Sequence, residues 1–286
     1  METPHEEDYR ELRAQTLSRL SRLPAFSHAA LKLLTISSDA ESAFEDFEAA
    51  FRGDPALATD LLIVANSMEF GFMGVVTNIP QALALLGLDR SRSLACRIAM
   101  KSYLPGAANS DVNTSWRHSI ASAALAEHLA KMSSLSLPMM YTAALLHDIG
   151  RLGMQLTLRE KYRSVITLDT GDIGKNLTIE KTIFGMNHCE AGDALSRTWG
   201  FPESLGRHIH MHHGHVTMEE DPTAYIVQTA CRLAEGLGYP EYATAPAASQ
   251  SSLEQAIPSR FRNHPAFTPR RLAAVVESTL AAVNAT

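Results

Sequence analysis

The chain has 286 residues, enough for one large domain or two modest ones with a real core. A composition of 45% hydrophobic and 20% charged residues belongs to an ordinary globular protein and excludes a disordered one. Twenty-five basic against 31 acidic side chains leave a net charge of -6, which argues against the strongly basic surface of a general nucleic-acid binder.

Three cysteines, Cys96, Cys189 and Cys231, stand at wide, unpatterned spacing and suit a reducing compartment better than a disulfide framework. The acidic start, Met1 to Asp8, does not resemble a secretion signal, and no uncharged apolar run reaches the ~20 residues of a membrane span. A cytoplasmic location without membrane contact is expected.

Residues 1–13 are expected to form a flexible tail, with a helix through Leu12, Leu17 and Leu20 that Pro24 ends. Ser27 is placed to cap a second helix, and Phe44, Phe47 and Phe51 fall at helical spacing on a core face. Asp54-Pro55 opens the next helix, the glycines around Phe70 to Gly74 mark a loop, and Pro80 begins a helix that Gly87 closes. Asp89 caps another that runs to Tyr103, and nothing so far alternates as a strand would. Residues 14–108 therefore read as an N-terminal helical subdomain.

The stretch 105–111, rich in Pro, Gly and small polar residues, reads as a linker. A long helix from about Thr114 to Met132 carries His118 near its start, and Pro138 begins an apolar helix that runs into His147-Asp148. Helical segments at 164–170 and 177–184 flank a polar turn, and Asn187 can cap a helix with His188 in its first turn. Pro202 opens a helix leading to His208, His210, His212, His213 and His215. A helix from Tyr225 to Leu237 holds Cys231, residues 243–250 read as a loop, and Thr268-Pro269 opens a last helix. Residues 109–240 form the second helical subdomain in this reading, and 241–286 a C-terminal loop and helix.

Chemistry concentrates in Leu145-Leu146-His147-Asp148-Ile149-Gly150-Arg151, where an apolar helix ends in a histidine beside a carboxylate. Burying that pair is costly unless both are hydrogen-bonded or bound to a cation, and both are donors to divalent metals. The bland alternative is a capped helix end, with Gly150 as the stop signal. Further histidines at helix starts or ends, His118, His188, His212 and His213, favour a metal centre built between helices.

This order of ligands resembles the HD phosphohydrolase superfamily. More closely, Leu23-Pro24, Asp54-Pro55-Ala56-Leu57, Ala65-Asn66-Ser67, Leu85-Leu86-Gly87-Leu88, Trp116-Arg117-His118-Ser119, Leu145 to Gly150, and Phe184-Gly185 with His188 resemble the HDOD family of bacterial signalling proteins over roughly residues 20 to 240. The resemblance implies an all-α protein, an N-terminal helical bundle packed on an HD-like subdomain, acting as an output module. It implies metal ligands at His118, His147, Asp148, His188, His212 and His213, the last two supplying one ligand and one group behind it.

Three positions depart from the related HD-GYP phosphodiesterases: Thr114 replaces a glutamate, Arg151 a lysine, and Cys231 a final aspartate. Asp148 is then the only carboxylate among the matched positions. Such a set suits one divalent ion, of iron, manganese, zinc or nickel, or two only if an anion or hydroxide bridges them, with Arg151 and Cys231 as additional contributors; Cys231 is either a thiolate ligand or a small buried residue. Gly238-Tyr239-Pro240 spells the tripeptide of those enzymes away from its usual place and reads as chance. The expected function is signal transduction through a protein partner or a nucleotide or phosphate-like ligand, with metal-dependent hydrolysis of nucleotides or cyclic dinucleotides as the alternative. With no room for a separate receiver or cyclase domain, input is expected to arrive by binding.

Overall fold

A computed structural model describes residues 4–24, 26–39, 41–66, 75–103, 110–133, 137–242, 257–259, 263 and 265–284. Among them no strand occurs. The helices in chain order are α1 (Pro4–Leu20), α2 (His28–Ser38), α3 (Phe44–Arg52), α4 (Pro55–Ala65), α5 (Ile79–Leu86), α6 (Leu88–Tyr103), α7 (Ser110–Ser133), α8 (Leu137–Leu146), α9 (Ile149–Thr157), α10 (Arg159–Thr167), α11 (Ile173–Phe184), α12 (His188–Thr198), α13 (Glu203–Met211), α14 (Pro222–Gly236) and α15 (Pro269–Asn284). The all-α class predicted from the sequence is the observed one.

Local signals set the boundaries. Ser27 accepts from the Ala30 N–H, and Asp54 from those of Ala56 and Leu57 ahead of Pro55, so the orphan donors of these helix starts are satisfied by the predicted side chains. Asn187 caps α12, with Glu190 completing a reciprocal capping box. The expected loops at 70–74 and 243–250 lie outside the described residues, as do residues 105–109 of the expected linker. Ser110 and Asp111, assigned to that linker, already belong to α7.

Two expectations change. The proposed tail is helical from Pro4, and α1 packs against α9, α11 and α12. Its early turns hide this because they attach largely through backbone: a Cβ on Gly185 would meet Arg13 N at 2.4 Å and Tyr9 O at 2.6 Å, while further along Thr16 Oγ1 donates to the Phe184 carbonyl and Leu20 is buried in the core. Phe44 is the second case, since it opens α3 on the solvent side while Phe47 and Phe51 are fully buried.

One apolar core links the first half of the chain to the second. Leu33 and Leu34 of α2, Leu94 and Ile98 of α6, Ile120 and Leu125 of α7 and Leu145 of α8 belong to it, with α2 packed on both α6 and α8. No helix is long and apolar enough to cross a membrane among these residues. The polar cluster lies in the second half, where α7, α8, α9, α12, α13 and α14 meet.

Candidate metal centre

Gly150 is not a helix stop. It lies in the first turn of α9, and a Cβ there would sit 2.0 Å from the His188 carbonyl and 2.3 Å from the Gly192 N–H nitrogen. Only glycine permits this approach of α9 to α12, which brings Asp148 against His188. Asp148 occupies the N-cap position of α9 but makes no capping bond with its side chain. Its carboxylate is thereby left for the histidines.

Three imidazoles, those of His147, His188 and His212, face it, and His118 lies beyond His147; each of the four is held through Nδ1. His118 Nδ1–H donates to the Tyr239 carbonyl at 2.7 Å, His147 to Ala144 at 2.6 Å and His212 to Ile209 at 2.6 Å. His188 Nδ1–H donates to Glu180 Oε2 at 2.7 Å. Fixing the proton on Nδ1 leaves the Nε2 lone pair of each ring turned inward, the arrangement of metal-binding histidines.

The Nε2 atoms of His188 and His212 are 3.2 Å apart, and they stand 3.5 and 3.4 Å from Asp148 Oδ1. Ligands about 2.1 Å from a tetrahedral ion are separated by roughly 3.4 Å, so this triangle has the size of one face of a coordination sphere. His213 belongs to the same group, while His118, His147 and Cys231 form a second, each with candidate donor atoms within 4.8 Å of one another. The His118 and His147 rings are 5.3 Å apart, and His147 lies 5.0 Å from His212, joining the groups.

A cation fits the polar bookkeeping. His147, Asp148 and His188 are fully buried; Asp148 Oδ2 is ion-paired with Arg151, whereas Asp148 Oδ1 and His147 Nε2 lack a well-aligned hydrogen-bond partner. Buried polar atoms in folded proteins are almost always satisfied, and a carboxylate oxygen facing two imidazoles beside the unpartnered His147 Nε2 is a donor set a divalent ion completes.

Arg151, also fully buried, is the protein's own cation here. Its Nε is 3.0 Å from Asp148 Oδ2, its Nη2 contacts Glu241 Oε2 at 2.5 Å and lies 3.2 Å from His188 Nε2, and the guanidinium covers the Tyr242 ring at 4.4 Å. The other Glu241 oxygen accepts from the Cys231 thiol at 3.2 Å and is 3.5 Å from His213 Nε2. Glu180 accepts the hydroxyls of Tyr162 at 2.8 Å and Tyr242 at 3.2 Å.

These neighbours set the charges. Burial opposes ionisation of Asp148, but the Arg151 guanidinium and then His147 hold its carboxyl well below the usual range. Burial likewise disfavours the Glu180 carboxylate, yet His188 brings it down to about 2. Burial pushes His147 down to about 3 against the pull of Asp148, keeping that ring neutral. Cys231 is raised well above the ordinary thiol range by burial and by Glu241, so it is a thiol at neutral pH.

The sequence-predicted residues His118, His147, Asp148, Arg151, His188, His212, His213 and Cys231 therefore all come to one centre. Of the other histidines of that run, His210 and His215 are exposed, whereas His208 is buried with Nε2 3.3 Å from Asp221, a partner at the start of the next helix. Glu180 and Glu241 were not anticipated, and they overturn the picture of a centre with a single carboxylate. Glu180 carried a signal: with Asn176 and Phe184 it forms the buried stripe of α11, where a lone acid needs a partner. Glu241 carried none. The tripeptide read as chance lies beside it, and there the Tyr239 carbonyl orients His118.

Among solved structures, the chain is similar to an HDOD domain protein of unknown function from Geobacter sulfurreducens, 23% identical, with a TM-score of 0.73 over 98% of this chain and 99% of that one. It is also similar to a Marinobacter aquaeolei VT8 protein whose name proposes a role in signal transduction, 20% identical with a TM-score of 0.72, covering 97% of this chain and 66% of that one. An uncharacterized protein of Treponema pallidum (strain Nichols) is 24% identical over 227 residues, which are 77% of this chain and 44% of that protein's length. The chain thus spans less than half of that curated relative. Residues 23–215, which include every helix from α2 to α13 and all the clustered histidines, match the model of the HDOD domain, and the chain belongs to the HDOD family.

Proposed function

We propose that this protein is a regulatory output module of bacterial signal transduction, in which the cluster around Asp148 binds a divalent ion and so fixes the surface offered to a signalling protein or a phosphate-like ligand. The observation that carries the reading is the set of four imidazoles tied through Nδ1, of which His147, His188 and His212 bring Nε2 to 3.7, 3.5 and 3.4 Å from the Asp148 carboxylate. His188, His212 and Asp148 would hold the ion, and the ion would supply positive charge in a buried acidic centre. Binding to the folded state alone stabilises by about 2.7 kcal/mol at a hundredfold excess over the dissociation constant. The reading is tested by metal analysis of the purified protein and by its melting with and without chelator. Bound metal and a lower melting temperature after chelation are expected; metal-loaded protein that melts identically with chelator contradicts it.

Glu241 favours a second reading, a metal-dependent phosphohydrolase acting on nucleotides or cyclic dinucleotides, because it restores a carboxylate beside Cys231. Arg151 weighs against turnover by engaging both Glu241 and Asp148. Manganese- or iron-dependent hydrolysis of a nucleotide panel that disappears in Asp148→Ala would establish the enzyme; the binding module shows none.

A further inference from the structure

We infer that the Arg151 guanidinium is a built-in substitute for a second metal ion, so that the centre takes a single divalent cation, held by Asp148 Oδ1, His188 and His212, while His118, His147 and Cys231 stay metal-free. The inference rests on the metal-binding reading above and fixes its stoichiometry and place.

The two oxygens of Asp148 face different neighbours. Oδ1 looks toward Nε2 of His188 and His212 across 3.5 and 3.4 Å, and Oδ2 is 3.0 Å from Arg151 Nε and 3.7 Å from His147 Nε2. A carboxylate shared by two metal ions would use one oxygen for each. Here the second oxygen meets a guanidinium, which then spans to Glu241, the acid beside Cys231. Arg151 thus joins the carboxylates that border the second group of donors.

Charge points the same way. Three buried carboxylates, Asp148, Glu180 and Glu241, stand around one buried guanidinium, Arg151. One dication offsets the excess acid, whereas the charges of a second would crowd against the Arg151 guanidinium, an arrangement burial makes costly. Cys231 does not offset them, because its thiol hydrogen is engaged by Glu241. Removing the guanidinium frees Asp148 Oδ2 and Glu241 to face a second dication, which would take the Cys231 sulfur as its thiolate.

The test counts cobalt(II) on the full chain after chelator treatment, reconstitution with excess cobalt and desalting, and records the near-ultraviolet thiolate-to-cobalt band. Wild type should hold one equivalent and show no thiolate band. Arg151→Met, close in length and uncharged, should approach two equivalents and gain the band, which Cys231→Ser then removes. Should Arg151→Met not fold, His118→Ala and His188→Ala decide: the first keeps its one equivalent and the second loses it. Two equivalents or a thiolate band in wild type, or loss of the ion in His118→Ala but not in His188→Ala, overturns the inference and leaves metal binding intact. No bound cobalt in wild type overturns both.

Discussion

A single oxygen of Glu180 accepts two hydrogen bonds from His188, one from the backbone N–H at 2.8 Å and one from ring Nδ1–H at 2.7 Å. The first places the start of α12 and the second fixes the tautomer of the imidazole. Glu180→Gln keeps the shape but offers a weaker neutral acceptor, and its amide can also donate, so the Nδ1 proton is no longer assured. Loss of such supporting partners costs about 10–100-fold in metal affinity. Competition titration with a chromophoric chelator should show a fall of that size with the helical circular dichroism unchanged; equal affinity would mean that Glu180 does not orient the ligand.

The same carboxylate predicts acid sensitivity. Its folded pKa is depressed to about 2 from an ordinary value of 4.5, so its stabilising contribution is complete above the unfolded pKa and is lost as pH falls from about 4.5 toward 2. The depression corresponds to about 3 kcal/mol, and Asp148, lowered by Arg151 and His147 against burial, adds loss of the same sign. Denaturant melts of metal-free protein at pH 6, 4 and 3 should show a steep decline in wild type and a shallower one in Glu180→Gln. Parallel pH curves for the two would count against this charge assignment.

Gly150→Ala tests the seam between α9 and α12. Alanine is the better helix former by about 1 kcal/mol, but its Cβ would lie 2.0 Å from the His188 backbone oxygen, and a backbone cannot step aside as a flexible side chain does. The clash should win, with a net loss of about 1–3 kcal/mol and weaker metal binding as Asp148 and His188 are forced apart. Unchanged or raised stability would show that the helices can separate freely.

His212→Ala removes one vertex of the triangle with His188 and Asp148. Its melting temperature should lie below that of metal-loaded wild type and should respond little to chelator, because the ion's contribution is already gone. A full chelator response in this variant would place the ion elsewhere.

Much of the site was legible because its residues are exceptions to a pattern. His147 and Asp148 end an apolar helix, and His188 follows a capping asparagine, so polarity where packing predicts none identifies them. Caps at Ser27, Asp54 and Asn187 were equally visible, since each satisfies donors within three residues of itself. Glu241 lies after a helix with no period to violate, and its partners Arg151, Cys231 and His213 are distant in the chain. The reach of α1 back to Pro4 was missed for a related reason: its early turns are anchored by backbone approach at Gly185, and a sequence pattern records side chains.

The centre also imposes an order on synthesis. His118, His147, Asp148 and Arg151 leave the ribosome well before His188 and His212, and Glu241, which binds Arg151 and the Cys231 thiol, emerges last. Until then Arg151 lacks one of its two acids, and before α12 and α13 emerge His118 on α7 and His147 just after α8 have no helix to face there. Long-range closure of this kind is slow, because the intervening loops must be ordered before the contacts reward them. A nascent chain therefore has no preformed cage, and metal capture becomes a property of the finished second half of the fold.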